Sequence, residues 1–301
     1  MQGGIVWSEG VVMLRGEAYR SVGVWVDKEL GSAWSWMHAH PRPCCTLEQL
    51  KELIAWGDVI GAQKDDCSSQ CIVYEVLASD VPGTFSLGGD LKLFVDLIRA
   101  GNREALLHYA VTCCDFLYEF STHTKRPESM SISLVQGDAL GGGFEGALAA
   151  DVLIAERGTL MGFPEIKFDL FPGMGALTFL SRRVGVDRAY RMILSGNRYT
   201  AEQLHDWGVV DILAIPGEGV ETVNAFIRRD RRNRHGSLAL RRAKNIHSPI
   251  DRTKLFAITE LWVESALGLN ERALSLMQRF VNSQDQKYRA IFDVDSLANA
   301  I

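Results

Sequence analysis

The sequence predicts an α/β fold, and three observations predict it. Apolar runs of strand length, CIVYEVLAS (71–79), SISLVQG (131–137) and VLIAERG (152–158), are separated by stretches of helical period. Two runs pass into glycine-rich turns that open helices, GTFSLGGDL (83–91) and DALGGGFEG (138–146). Beyond about residue 218 the pattern is almost wholly helical.

The elements follow in order. Residues 5–30 carry short strands in GIVWSEGVVML and YRSVGVWVD. Residues 46–63 have a helical period, with Thr46 as N-cap and Gln49 as its capping-box partner. KDDCSSQ (64–70) is a polar loop. After the first glycine turn, Leu91, Phe94, Val95 and Ile98 recur at helical spacing and Gly101 closes the helix. Residues 103–120 form the next helix, and EGALAAD makes a small-residue helix behind the second glycine turn. Residues 159–176 read as irregular and 177–194 as helical. Thr200 to Gln203 form a capping box for a short helix that Gly208 ends, before a strand in VVDILAI (209–215).

Composition narrows the function. The 301 residues are 47% hydrophobic and 23% charged, which suits one large domain or two modest ones. A net charge of -5 argues against a general nucleic-acid binder. No membrane span is expected, because no apolar stretch approaches the length of a spanning helix. MQGGIVWSEG has no basic segment leading into an apolar one, so a cytoplasmic location with reduced thiols is expected. Cys44, Cys45, Cys67, Cys71, Cys113 and Cys114 do not have zinc-ligand spacing, and no metal is expected. His38 and His40 lie in an aromatic-rich loop, as pocket-lining or as structural histidines. The basic run from Arg228 to Lys244 reads as a solvated helix face, or as a contact for phosphate or an acidic carrier.

The glycine turns decide the chemistry. Gly141, Gly143 and Gly146 fit the dinucleotide spacing G-x-G-x-x-G. That motif needs an acidic residue about 20 positions on, at the end of the next strand. Glu156 lies only 15 after Gly141, and the motif sits mid-chain. Two glycine turns at helix N-termini suit another role. Their free N–H groups can converge on one oxygen as an oxyanion hole. Glu145, in the first turn of its helix, and Glu165, in the apolar MGFPEIKF (161–168), supply two carboxylates for acid/base work. Burial among apolar neighbours raises such pKa values. Taken singly, Glu145 also reads as a dipole-favoured charge and Glu165 as a loop carboxylate. No G-x-S-x-G elbow occurs, and Cys113 and Cys114 read as helix core.

With these residues in place, the sequence resembles the crotonase (enoyl-CoA hydratase/isomerase) superfamily. FSLGGDL looks like its first oxyanion segment, VQGDALGGGFEGALAAD like its second, and MGFPEIKFDLFPGMGA like its second-glutamate segment. FSLGGDLKLFVDLIRAGNR, FDLFPGMGA and ITELWVESAL look closer to diffusible-signal-factor synthases, over about residues 10–283. The resemblance implies a spiral core over 1–217 and a C-terminal helical region over 218–301 that packs a homotrimer. It implies dehydration of a 3-hydroxyacyl thioester to a cis-2-enoyl thioester, then hydrolysis to a free unsaturated fatty acid. Gly89 and Gly142 would donate the oxyanion N–H groups, and Glu145 and Glu165 would be catalytic. No cofactor is implied; the substrate rides on the phosphopantetheine of acyl carrier protein or on coenzyme A. Acyl carrier protein and a sensor-protein regulator are the implied partners.

An apolar tunnel for the acyl chain has as candidates Phe85, Leu140, Phe144, Met161, Phe168, Leu170, Phe171, Met174 and Trp262, each of which also reads as plain core. Two other functions stay open. One is a plain enoyl-CoA hydratase or isomerase. The other is a non-catalytic crotonase-fold binding protein, against which the presence of both glutamates argues.

Overall fold

The computed structural model describes residues 6–8, 11–14, 19–38, 42–62 and 72–298. Strands β1 (Val6–Ser8), β2 (Val11–Leu14), β3 (Val22–Asp27) and β4 (Ser32–Met37) form an antiparallel run. Val22, Val24 and Val26 are buried alternately, as a strand with one face on the core requires. Helix α1 (Leu47–Gly61) buries Leu50, Leu53, Trp56 and Ile60 at helical spacing. Then follow β5 (Tyr74–Ser79), β6 (Thr84–Ser86), α2 (Leu91–Arg99), α3 (Arg103–Thr122), β7 (Met130–Val135), β8 (Asp138–Leu140) and α4 (Gly142–Ala149). Next are β9 (Val152–Glu156), β10 (Leu160–Gly162), a 3-10 helix (Glu165–Phe168), α5 (Ala176–Val184) and α6 (Val186–Ser195). The chain continues through β11 (Arg198–Thr200), α7 (Ala201–Asp206) and β12 (Ile212–Ala214). Helices α8 (Gly219–Arg232), α9 (Arg234–His247), α10 (Arg252–Leu267) and α11 (Glu271–Ala298) complete it. None of the described helices is long and apolar enough to cross a membrane.

The predicted α/β class holds. One sheet has the order β1-β2-β3-β4-β5-β7-β9-β12, parallel from β4 onward. A second sheet, β11-β10-β8-β6, was not predicted. Its strands are three residues long, too short to show a period. This small sheet positions the site. Parallel β6, β8 and β10 lie side by side and lead, in turn, into the first glycine turn, the second glycine turn and the Glu165 segment.

Other expectations need correction. Thr46 caps α1 by accepting from Gln49 N–H, but Gln49 does not complete a box. Its Nε2 instead donates to Ser21 O and His38 O, tying α1 to the sheet. The box at Thr200 and Gln203 is complete. Strand β4 was not anticipated; Trp34 and Trp36 on it stack beside Trp25 of β3, an aromatic cross-strand set. The helix expected over 177–194 breaks at Gly185, whose φ of 79° only glycine adopts freely. The strand expected over 209–215 shortens to β12, because Val209 N–H and Val210 N–H both close a turn onto Leu204 O. The expected loop 64–70, with Cys67, and also Cys71 and His40 lie outside the described residues.

Asp151 anchors α9 to the sheet core. Its Oδ2 accepts from Arg241 Nη1 (3.0 Å) and Ser131 N–H (3.2 Å) and lies 2.8 Å from Nε2 of buried His123. Asp151→Ala therefore leaves buried Arg241 without its anion and removes the nearer of the two carboxylates beside His123, Glu75 lying 3.8 Å from the other ring nitrogen. The expected loss is about 3–5 kcal/mol, read from the denaturant midpoint.

Candidate active site

The second glycine turn is built for close approach. Gly141 has φ 53°, and a Cβ there would stand 2.2 Å from Glu165 Oε1. A Cβ on Gly143 would stand 2.3 Å from Ser86 O. Gly142 is the first residue of α4, so its N–H has no carbonyl one turn back. A Cβ on Gly142 would lie 3.3 Å from Gly89 N, and one on Gly88 3.5 Å from Gly142 N. The two glycine amides thus border one small space. They share the wall of one cavity with Glu145, Glu165, Phe168, Leu170, Met174 and Trp262.

Glu145 is 1% exposed, in the first turn of α4. Its Oε1 accepts from Met174 N–H and Ala176 N–H, each at 2.9 Å. Burial raises its pKa to about 7, and the two backbone donors hold it from rising further. Glu165 heads the 3-10 helix and is partly buried, with its Oε2 enclosed and without a hydrogen-bond partner among the described residues. Burial, then the neighbouring Glu145 carboxylate, raises its pKa to about 8. The two carboxyls are unlike: Glu145 accepts from two backbone N–H donors, whereas Glu165 Oε2 is buried with no partner among the described residues.

Sequence reasoning missed the rest of the wall: Cys45, Leu91, Phe94, Tyr109, Cys113, Pro172 and Gly173. Tyr109 and Cys113 lie one turn apart on α3. The signal was a tyrosine on an apolar helix face, whose hydroxyl needs a partner when buried. Burial first, then nearby acidic groups, pushes the Cys45 thiol up to about 12, and burial sends Cys113 well above its ordinary value. Neither thiol is a thiolate nucleophile near neutral pH.

Five proposed chain-binding residues do not line this cavity. Phe144 faces Phe163 in the core, 4.9 Å between centroids. Met161 is fully buried in β10. Phe85 points to a separate small cavity beside His38 and Cys44. Leu140 ends β8 and Phe171 packs partly buried against the main core. Alternation along β6, β8 and β10 turns Phe85, Leu140 and Met161 elsewhere, whereas Phe144 lies on α4 and Phe171 on a loop. His38 pairs with Asp80 and also borders the small cavity that Phe85 lines. The cavity has a volume of only ≈ 30 Å³. A larger one, ≈ 400 Å³, lies between α1, α3 and β5 and includes neither glutamate.

Glu156 ties the sheet to α8: its Oε1 accepts from Gly219 N–H at the start of α8 and from Gln136 Nε2. The basic run is largely used internally. Arg234 and Arg241 bond backbone carbonyls at 127–128, Arg231 bonds Glu29 O, and Arg242 pairs with Glu128. Arg228, Arg229 and Arg232 remain exposed. Among the described residues no cluster of three His, Cys, Asp or Glu could hold a metal ion.

Two sheets with glycine turns at parallel strand ends and a C-terminal helical run form the crotonase fold. An enoyl-CoA hydratase from Bacillus halodurans matches 87% of this chain and 100% of its own, with TM-score 0.72 at 18% identity. Pseudomonas aeruginosa DspI matches 93% of this chain and 98% of its own, with TM-score 0.60 at 24% identity. At these identities the likeness shows the fold alone. The chain belongs to the enoyl-CoA hydratase/isomerase family, whose sequence model matches residues 52–254. Mevalonyl-coenzyme A hydratase SIDH of Beauveria bassiana is 29% identical over 70% of the chain, and the match spans 64% of that relative. Fatty acid oxidation complex subunit alpha of Pseudomonas syringae is 30% identical over 74% of the chain, and that match spans 28% of the relative. The chain therefore spans less than two-thirds of either relative's length.

Proposed function

We propose that the protein moves water on and off the Cα–Cβ bond of an acyl thioester. The observation that carries this is the unlike pair of buried carboxyls beside two glycine amides. The thioester oxygen accepts from the Gly89 and Gly142 N–H groups, which stabilise the enolate that forms. In hydration, the Glu145 carboxylate takes a proton from water as its oxygen bonds Cβ. The Glu165 carboxylic acid gives its proton to Cα. Dehydration runs the same path back: Glu165 removes the α-proton and Glu145 protonates the departing hydroxyl. Proton transfers and the making or breaking of the Cβ–O bond complete the reaction with no change of oxidation state overall, so these groups need no cofactor.

The pair must hold one proton in either direction, and its macroscopic titration governs the rate. Below about 7 both carboxyls are protonated and no base remains; above about 8 both are ionised and no acid remains. kcat/KM is therefore expected to rise through about 7 and fall through about 8, and a pH profile on an enoyl thioester measures it.

The finer reading adds hydrolysis. The resemblance of FSLGGDLKLFVDLIRAGNR and FDLFPGMGA to diffusible-signal-factor synthases supports a 3-hydroxyacyl substrate on acyl carrier protein and release of a cis-2-unsaturated acid. The same hole would hold the tetrahedral oxyanion when water attacks the carbonyl. Exposed Arg228, Arg229, Arg232 and Lys244 are cations available to an acidic carrier, and helices α8 to α11 are the proposed trimer-forming region. Light scattering checks the trimer. A sensor-protein regulator rests on the resemblance alone.

Purified protein given 3-hydroxyacyl thioesters on carrier protein and on coenzyme A tests the whole scheme by mass spectrometry. Free 2-enoic acid supports the synthase reading. Enoyl thioester without free acid identifies a plain hydratase. No turnover on either carrier overturns both.

A further inference from the structure

The Gly88–Gly89 turn belongs to no continuous strand ladder. Its one pairing is an isolated bridge between Cys45 and Gly89, held by Cys45 N–H donating to Gly88 O (2.8 Å). The turn needs other supports to fix an amide, and they come from far along the chain. Gln284 Nε2, on α11, donates to Leu87 O at 2.9 Å. Arg42 spans the gap on the other side: Nη1 bonds Asp90 Oδ1 (2.9 Å) and Nε bonds Asp285 Oδ1 (3.0 Å). Leu87 N–H donates to Pro43 O, and Tyr109 Oη donates to Cys45 O, so the 42–45 segment is itself fastened to the turn and to α3. Gln284 is 6% exposed and the Arg42 side chain 11%. Hydrogen bonds that shielded hold geometry better than exposed ones.

The same helix reaches the other half of the site. One turn before Gln284, Phe280 meets Phe168 edge to face, 5.5 Å between centroids. Phe168 closes the 3-10 helix that Glu165 opens and lines the cavity. Residues 280, 284 and 285 therefore bear on the Glu165 helix and on the Gly89 turn together.

We infer that α11 is a clamp on the catalytic turn, and that Gln284 and Arg42, the latter through Asp285, are positioning residues for the Gly89 amide. This rests on the reading of Gly89 as an oxyanion donor. Loss of either residue leaves the cavity and both glutamates in place but lets the Gly89 N–H drift from the thioester oxygen. Misplacement of that order lowers kcat by about 10- to 100-fold while KM changes little.

The full chain is compared as wild type, Gln284→Glu and Arg42→Lys. Gln284→Glu keeps the side-chain shape and replaces the donor nitrogen by an oxygen. Arg42→Lys keeps the charge but loses the fork that reaches two carboxylates. Glu271→Gln, which breaks the exposed Arg99–Glu271 pair at the start of the same helix, is the control. Three readouts are taken: amide hydrogen exchange over 86–91, kcat and KM on a 2-enoyl thioester, and the carbonyl stretch of that thioester when bound. Expected are faster exchange over 86–91, the stated fall in kcat, and a smaller downshift of the carbonyl stretch in both test variants. Arg42→Lys should keep more activity than Gln284→Glu, and the control should match wild type. Exchange over 86–91 at the wild-type rate overturns the clamp whatever the activity. Faster exchange with unchanged kcat and carbonyl stretch overturns the positioning role. If wild type turns over no thioester, the hydratase reading falls, and exchange alone then decides whether α11 holds the turn.

Discussion

Glu145→Gln and Glu165→Gln are each expected to lower kcat by about 10²- to 10⁴-fold, the usual range for a lost proton-transfer group. The two effects should not add, because a pair sharing one proton is disabled by losing either member. Loss of enoyl-thioester absorbance measures the rate directly, and wild-type turnover in Glu165→Gln would sink the mechanism. Stability should move the other way for Glu165. Its folded-state pKa, about 8, lies above the ordinary carboxyl value, so ionising it in the fold is costly. Its contribution to wild-type stability should therefore be fully present below about 4.5 and be lost as pH rises from there through about 8. Glu165→Gln, neutral throughout, should flatten that decline in a chemical-denaturation series.

Gly141→Ala and Gly146→Ala should behave in opposite ways, although both glycines fit the same nominal motif. At Gly141 the backbone sits at φ 53° and a methyl would stand 2.2 Å from Glu165 Oε1. Either Glu165 or the turn must shift, and the proposed mechanism uses both. A rate loss on the order of 10²- to 10³-fold is expected, comparable to removal of an oxyanion donor. At Gly146 a Cβ meets nothing within 4 Å, and the residue lies inside α4. Alanine there should keep full activity and gain up to about 1 kcal/mol from helix propensity. A dinucleotide site would instead need its third glycine for close packing of helix on strand. Steady-state rates and unfolding midpoints of the two variants separate these outcomes.

The parts of the molecule legible in its sequence are those with local signals. The α/β class could be read from apolar runs and glycine punctuation, and the cap at Thr200 from four consecutive residues. Glu145 and Glu165 could be singled out because helix position and an apolar setting mark them, whereas turn chemistry marked only the two glycine turns and the family resemblance picked Gly89 and Gly142 within them. What could not be read is which cavity a buried side chain enters. Phe168, Leu170, Met174 and Trp262 reach the cavity, whereas Phe85, Phe144 and Met161, equally apolar, serve the core. Tyr109 and Cys113 arrive from α3, which docks against α10 and α4, and no local pattern encodes that meeting. The β6-β8-β10 sheet is decided by tertiary pairing of three-residue strands, beyond the reach of periodicity.

The cavity beside the glutamates, at ≈ 30 Å³, has room for about one water molecule and none for an acyl chain. Gly173 sits so close to Trp262 that a Cβ would overlap the indole root, so that wall yields only if segments move together. Under the proposed hydratase activity, substrate entry would be a gated event. The apparent affinity is the intrinsic one scaled by the fraction of molecules that are open. Selection among acyl chains should accordingly register in the association rate, because a longer chain demands a rarer opening before it can be seated. Stopped-flow binding across a series of chain lengths would show on-rates diverging while off-rates stay close.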